Sequence, residues 1–447
     1  MSFAKYPAYK DSGVDWLGEV PGHWDVARMR FVARVQTGVA KGKDNTGRTT
    51  LQVPYLRVAN VQDGYLDLDN VATIEIPADD LPRYELQTGD VLMNEGGDFD
   101  KLGRGHIWEG SISPCIHQNH VFAVRPFAVS SQWLNLVTGS AYAQFYFMSR
   151  AKQSTNLASI SSTNIMELPV VLPPANERQV IATFLDRETA KIDALVAEQE
   201  KLIALLQEKR QAVISHAVTK GLDPDVAMKD SGVEWLGEVP AHWDVRRVRN
   251  LSSFLTSGPR GWSERISEVG AKFIQSGDLT DDLSIAFDEA KRVAVNDDAE
   301  AARTKLADGD VVVCITGAKT GNVAVCGVVA EDAYVNQHLC LIRPRPDVLP
   351  DLLAIYLKSD AGQRYFAVAQ YGLKQGMSLE NIKEAPVPVP PIHEQRQIVD
   401  VARDASTNIG ALVNEAQSAI TLLQERRTAL ISAAVTGQID VRGWENS

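Results

Sequence analysis

The strongest constraint on this chain's fold is that it repeats itself. KDSGVDWLGEVPGHWDV, Lys10 to Val26, returns as KDSGVEWLGEVPAHWDV, Lys229 to Val245, identical at fifteen of 17 positions. A second block, Ala190 to Thr219, returns as Thr407 to Thr436 with 17 of 30 positions identical. The offsets are 219 and 217 residues, so the halves have nearly equal length. Internal repetition on this scale means one structural unit built twice. Between the repeated blocks the sequence diverges, leaving echoes such as GDVLM (89–93) against GDVVV (309–313), and HQNHVFAVRP (117–126) against NQHLCLIRP (336–344). Similar frames around dissimilar inserts indicate two modules of one fold that engage two different targets.

The second repeated block reads as a long helix. Pro173 and Pro174 stop the preceding extended segment, with Asn176 placed to cap the helix and Gln179 in capping-box position; Pro390 and Pro391 stand in the same place before His393. Apolar residues then recur at 3-4 spacing, Leu185, Ile192, Leu195, Leu202, Leu206 and Val213 in the first copy, and Ile409, Leu412, Ala416, Ala419, Leu423 and Leu430 in the second. A helix from 176 to 218 is roughly 60 Å long, too long for one small domain to bury, so the two copies are expected to pair. An antiparallel pair would hold the inserts at opposite ends about an approximate two-fold axis. Gly221 and Gly437 stand at the expected helix C-caps.

The expected order is an opening (1–26), a first insert (27–172), a spacer helix (173–220), a second opening (221–245), a second insert (246–389), a second helix (390–437) and a tail (438–447). The inserts should be α/β modules. The VPYLRVANVQDGYLDLD stretch (53–69) alternates like a strand, and the glycines of GDVLMNEGGDFDKLGRGHIWEG (89–110) suit a loop that approaches a ligand closely; AKFIQSGDLTDD (271–282) and CITGAKTGNVAV (314–325) occupy the matching places. Trp16, Trp24, Trp235 and Trp243 lie in the openings, so they are expected to anchor helix ends to the inserts; contact with another protein is the alternative.

The SGVDWLGEVPGHW and SGVEWLGEVPAHW openings, the PVVLPPANERQVIATFLD and PVPVPPIHEQRQIV helix starts, and the LLQEKR and LLQERR helices together carry a family likeness. Over essentially its whole length the chain resembles the specificity subunit of type I restriction-modification enzymes. That resemblance implies two target-recognition domains, each reading one half of a bipartite double-stranded DNA site, separated by two antiparallel helices. It also implies two modification (methyltransferase) subunits around the helices, with restriction subunits joining them. S-adenosylmethionine, ATP and Mg would belong to those partners, and this chain would hold no cofactor and perform no catalysis. One departure is that the first helix begins Glu177, Arg178, Gln179 where the second has Glu394, Gln395, Arg396.

Arg and Lys suit guanine edges, Asn and Gln suit adenine, and loops carry such groups into a groove. The candidates are Lys41, Lys43, Arg57, Asn60, Lys101, Arg104, Gln118 and Lys152 in the first insert. In the second they are Arg260, Gln275, Lys319, Thr320, Asn322, Gln337, Lys374 and Gln375. Arg125 and Arg343, each before a proline at the end of an apolar run, read as structural. The net charge of −12 runs against a phosphate-binding surface, although residues 27–168 carry 13 Lys and Arg against 14 Asp and Glu and so are nearly neutral. Part of the phosphate grip would then fall to a partner.

The sequence carries few signs of chemistry. TGAKTG (316–321) lacks the Gly directly before Lys that a phosphate loop needs, and Cys115, His117 and His120 have no fourth metal ligand at a usual spacing. The four cysteines are spread out and read as reduced thiols. No signal segment or apolar membrane run appears, which makes the cytoplasm the expected location. Two other classes stay open: a self-contained DNA-modifying enzyme, and an assembly scaffold without DNA preference.

Overall fold

The structure is a computed structural model and describes residues 3–42, 46–97, 99, 102–153, 158–296, 298–370 and 376–444. The chain forms two compact units. Unit 1 comprises Met1–Gln199 with Ala419–Ser447, and unit 2 comprises Glu200–Ser418.

Each unit is built on the same four-stranded antiparallel sheet. In unit 1 the spatial order is Ala33–Thr37, Val121–Pro126, Val91–Asn94, Gly105–Ile107; in unit 2 it is Ser252–Ser257, Leu339–Pro344, Val311–Cys314, Val323–Val325. The inner strands are apolar at nearly every position because both sheet faces are covered. Val311 and Val313 point into one core and Val312 and Cys314 into another, as Val91 and Met93 do against Leu92. A second sheet holds a parallel pair, Thr50–Leu56 with Ile116–His117 and Ala271–Ile274 with Ala333–Val335. In both units a buried Asp bonds two nitrogens of an Arg across the main sheet: Arg125 to Asp90 at 2.7 Å and Arg343 to Asp310 at 2.8 Å. These two arginines are structural, as their sequence context implied.

The long helices run Ala175–Lys220 and Ile392–Val435. The first is 46 residues, about 69 Å at about 1.5 Å per residue. It begins one residue before the expected cap: the Pro174 carbonyl accepts from Arg178 N at 3.0 Å, and Pro391 does the same for Gln395, so Asn176 lies inside the helix and caps nothing. Both helices end at a glycine in the left-handed region, Gly221 (φ +80°) and Gly437 (φ +74°).

The seam also departs from the expected one. Leu195 and Leu202 are 46% and 43% exposed and Leu412 is exposed too. The less exposed positions of the first helix are Ile192, Val196, Gln199, Ile203, Leu206, Arg210 and Val213, and Val413 takes the place expected of Leu412. Both phases keep 3-4 spacing, so periodicity alone could not choose between them. Within unit 1 the two helices are antiparallel: Asp193 pairs with Arg427 at 2.9 Å, while Ile181, Phe184 and Leu185 share a core with Ile431, Ala434 and Val435.

The repeated openings tie helix ends to the recognition modules. Trp24 is fully buried, and its indole N–H donates to Glu177 in the first turn of the first helix at 2.8 Å. A Cβ on Gly437 would lie 2.9 Å from the same indole ring, so Trp24 also fills the space beside the end of the second helix. Trp243 repeats this in unit 2, donating to Glu394 at 2.9 Å with Gly221 against its ring. His23 and His242 each contact the other carboxylate oxygen, at 2.7 and 2.8 Å. Trp16 and Trp235 lie on Tyr146 and Tyr365 with ring centroids 5.6 and 5.7 Å apart. All four tryptophans therefore anchor the frame.

Candidate DNA-reading rim

Four segments converge at one end of the main sheet in each unit. Gly38 follows the strand Ala33–Thr37 and presses so closely on the next segment that a Cβ would lie 2.1 Å from the His117 carbonyl oxygen; Gly258 stands equally close to that of Val335. Only glycine fits there. The turn at 117–121 is tied by Gln118 N to Leu56 O at 2.8 Å, and the corresponding turn by Asn336 N to Ile274 O at 3.0 Å. One-turn 3-10 helices follow, Val58–Asn60 and Ser276–Asp278, each closed by a side chain that accepts the N–H at its start: Asn60 from Arg57 N at 2.9 Å and Asp278 from Gln275 N at 2.7 Å. The last segment is the loop after the central strand, pinned by Asn94 to Val61 O at 2.8 Å in unit 1 and by Asn322 to Leu279 O at 3.0 Å in unit 2. The backbone skeleton is common, but the side chains on it differ.

Most described candidates fall on this rim. In unit 1, Arg57 and Gln118 flank the end of one strand, and Arg104 stands 3.7 Å from Asp63. Lys41 is exposed, two residues beyond Val39, whose carbonyl accepts from Asn119 N at 3.1 Å. Lys152 is exposed on a short strand in the same small sheet as Gly96–Gly97. In unit 2, Gln275 is partly exposed, Lys319 reaches the Gly277 carbonyl at 3.3 Å, and Gln337 sits beside His338 at 3.2 Å. Arg260 is exposed two residues beyond Gly258, and the Thr320 hydroxyl donates to Gly317 O at 2.6 Å, fixing its own turn.

Two candidates are corrected. Asn60 is buried, its amide donating to Asp67 O and Asn70 O while its oxygen caps the 3-10 helix. Asn322 is buried between Leu279 O and Lys358, whose ammonium donates to it at 2.5 Å. Asn60 has both amide protons committed inside the module, and Asn322 is held inside it by Leu279 and Lys358. Lys43, Lys101, Lys374 and Gln375 lie outside the described residues.

Sequence reasoning passed over Asn119 of the first turn and His338 of the second, and weighed His120 only as a metal ligand, although the HQNH and NQH echoes marked both turns. The same turn contains His117, fully buried, with Nδ1 2.7 Å from Val121 O; burial lowers its pKa below that of an ordinary imidazole. Burial pushes the neighbouring Cys115 thiol up to about 12, so it stays protonated. Among the described residues no group of His, Cys, Asp or Glu is arranged to hold a metal ion, and no helix is long and apolar enough to cross a membrane. A cavity of about 1030 Å³ lies in unit 2 between the helices and the module, lined by Arg210, Ile214, Lys358 and Arg403 among others.

Residues 240–417 match the type I restriction modification DNA specificity domain. The chain is 25% identical to the EcoBI specificity subunit of an Escherichia coli type I restriction enzyme, across 96% of this chain and 89% of that one. Among solved structures it is similar to a chain from a structural study of complex assembly and conformational transition of the type I R-M system, with a TM-score of 0.67 at 15% identity, covering 94% of this chain and 99% of the other. The HsdS subunit from Thermoanaerobacter tengcongensis superposes with a TM-score of 0.51 at 16% identity, covering 94% and 98%. At those identities the structural likeness speaks for the fold.

Proposed function

We infer, from its likeness to the specificity subunits of type I restriction-modification systems, that this chain is the DNA-reading subunit of such an enzyme and that each unit reads one half of a bipartite site. One observation carries the division of labour: the same rim is built twice on one backbone skeleton and furnished with different side chains. Lys41, Arg57, Arg104, Gln118 and Lys152 are the described candidates for the first half-site, and Arg260, Gln275, Lys319, Thr320 and Gln337 for the second.

In this reading the long helices set the half-site spacing and dock two modification subunits, and restriction subunits complete the nuclease. The chain itself is non-catalytic and works in the cytoplasm, while S-adenosylmethionine, ATP and Mg are held by the partners. A formal charge of −12 fits that arrangement, because a chain that reads base edges can leave part of the phosphate neutralisation to its partners. The test is to exchange residues 27–168 for the corresponding segment of another specificity subunit, express the chimera with the modification subunits, and sequence the methylated DNA. One half of the methylated site should change and the other stay. An unchanged site would overturn the reading.

A further inference from the structure

Both rims carry the same three-part relay of side chains, although the sequences around them differ. In unit 1 the Asn119 amide nitrogen lies 3.4 Å from His120 Nε2, and His120 Nδ1 lies 2.7 Å from a Glu95 carboxylate oxygen. In unit 2 the Gln337 amide nitrogen lies 3.2 Å from His338 Nε2, and His338 Nδ1 lies 2.5 Å from the Thr316 hydroxyl. The placement is equivalent: the backbone of each His accepts from the residue that follows the central strand, Glu95 N to His120 O and Ile315 N to His338 O, both at 2.9 Å. Amide, imidazole and a polar anchor thus recur at one point of the fold with different amides and different anchors.

The protons can be assigned from the donors present. An amide nitrogen only donates, so the Nε2 facing it must accept, and a neutral imidazole then carries its proton on Nδ1. That Nδ1–H is donated to Glu95 in unit 1 and to the Thr316 oxygen in unit 2. The ring therefore takes one of the two amide N–H groups and fixes which way the amide faces. Among the described residues nothing else takes the amide oxygen or the second N–H, the donor–acceptor pair that matches adenine N6–H and N7 in the major groove. The turn beneath is rigid, since Gln118 N donates to Leu56 O at 2.8 Å, Asn119 N to Val39 O at 3.1 Å and Val121 N to Gln118 O at 2.9 Å. An amide held in a set orientation on a fixed turn has already lost the freedom that base recognition would cost it.

Resting on the DNA-reading function above, we propose that Asn119 and Gln337 each read an adenine edge, one in each half-site, and that His120 and His338 are positioning residues that orient those amides. The tests use the full chain assembled with its modification subunits, and read the methylated motif by sequencing and its base preference by competition between duplexes. N119A should relax one adenine position of one half-site, losing a discrimination of about 5- to 150-fold, and leave the other half-site intact. Q337A should do the reverse. N119D preserves the shape of the side chain but cannot donate to N7, so it should lose the same preference without loss of fold. H120A should weaken the position that N119A weakens, with the melting temperature unmoved, and H120Q, whose carbonyl can accept the amide proton, should restore it. If N119A, N119D and Q337A keep the wild-type motif and preference while the 27–168 exchange changes a half-site, the relay is wrong and the DNA-reading function stands. Failure of the exchange as well would remove both.

Discussion

At the residue scale, the contacts that hold each module to the helix ends within its unit centre on a carboxylate whose role the sequence did not announce. Glu177 accepts the indole N–H of the buried Trp24 and contacts His23; Glu394 does the same for Trp243 and His242. The tryptophans were legible as anchors because they sit identically in both openings. Their partners were hidden because a Glu in a helix's first turn is ordinarily explained by the helix dipole. Removing the carboxylate strands a buried indole donor, which costs about 1–3 kcal/mol. E177A should therefore lower hydrogen-exchange protection in unit 1 and leave unit 2 unchanged, and E394A the reverse. Equal loss in both units from either variant would mean that the clamp does not act locally. Asn60 and Asn322 mark another limit of residue-level reading: a polar residue in a polar loop looks the same in sequence whether it faces a groove or closes a turn, and only burial separates the two.

At the scale of elements, the helices were legible in extent and kind but not in phase. Proline pairs and terminal glycines bracket them to within a few residues. The leucines, however, offer two overlapping 3-4 series, and the more conspicuous one includes Leu195 and Leu202, which are exposed, as Leu205 is. The structure instead places Gln199 and Arg210 at half-buried seam positions, where hydropathy would not put them. Exposed leucines of this kind contribute little to the chain's own stability, yet they present apolar surface on helices proposed to dock the modification subunits. L195E/L202E should thus change the unfolding free energy by no more than about 0.5 kcal/mol while abolishing co-purification with those subunits. I203E, at a seam position, should instead destabilise the chain itself. A double variant that assembles normally would place the docking surface elsewhere.

At the scale of the whole molecule, the duplication gives each unit the same parts list but not the same chain connectivity. In unit 2 the end of the first helix runs through Gly221 directly into the second opening. In unit 1 the end of the second helix meets the first opening without a covalent link, so noncovalent contacts do the work of the peptide chain. Asp440 N donates to Ala4 O at 2.8 Å, and the Tyr9 hydroxyl donates to Gly437 O at 3.0 Å. Val441 is buried, Trp444 packs against Phe184 at 5.6 Å between centroids, and Arg442 lies over the Tyr6 ring at 4.7 Å while pairing with Asp440. The sequence had marked 438–447 only as a tail, because nothing local shows that it closes a distant segment. Burying a side chain the size of valine contributes roughly 1.5–3 kcal/mol, and the Asp440–Ala4 bond adds to it. Deleting residues 438–447 should therefore destabilise unit 1 by several kcal/mol and loosen its exchange protection first at residues 3–11, with unit 2 keeping its full protection. The deleted chain, assembled with its modification subunits, should lose sequence preference in the half-site read by unit 1 before the other. Equal protection in both units would show that the helix seam alone closes unit 1, and that the tail is dispensable to it.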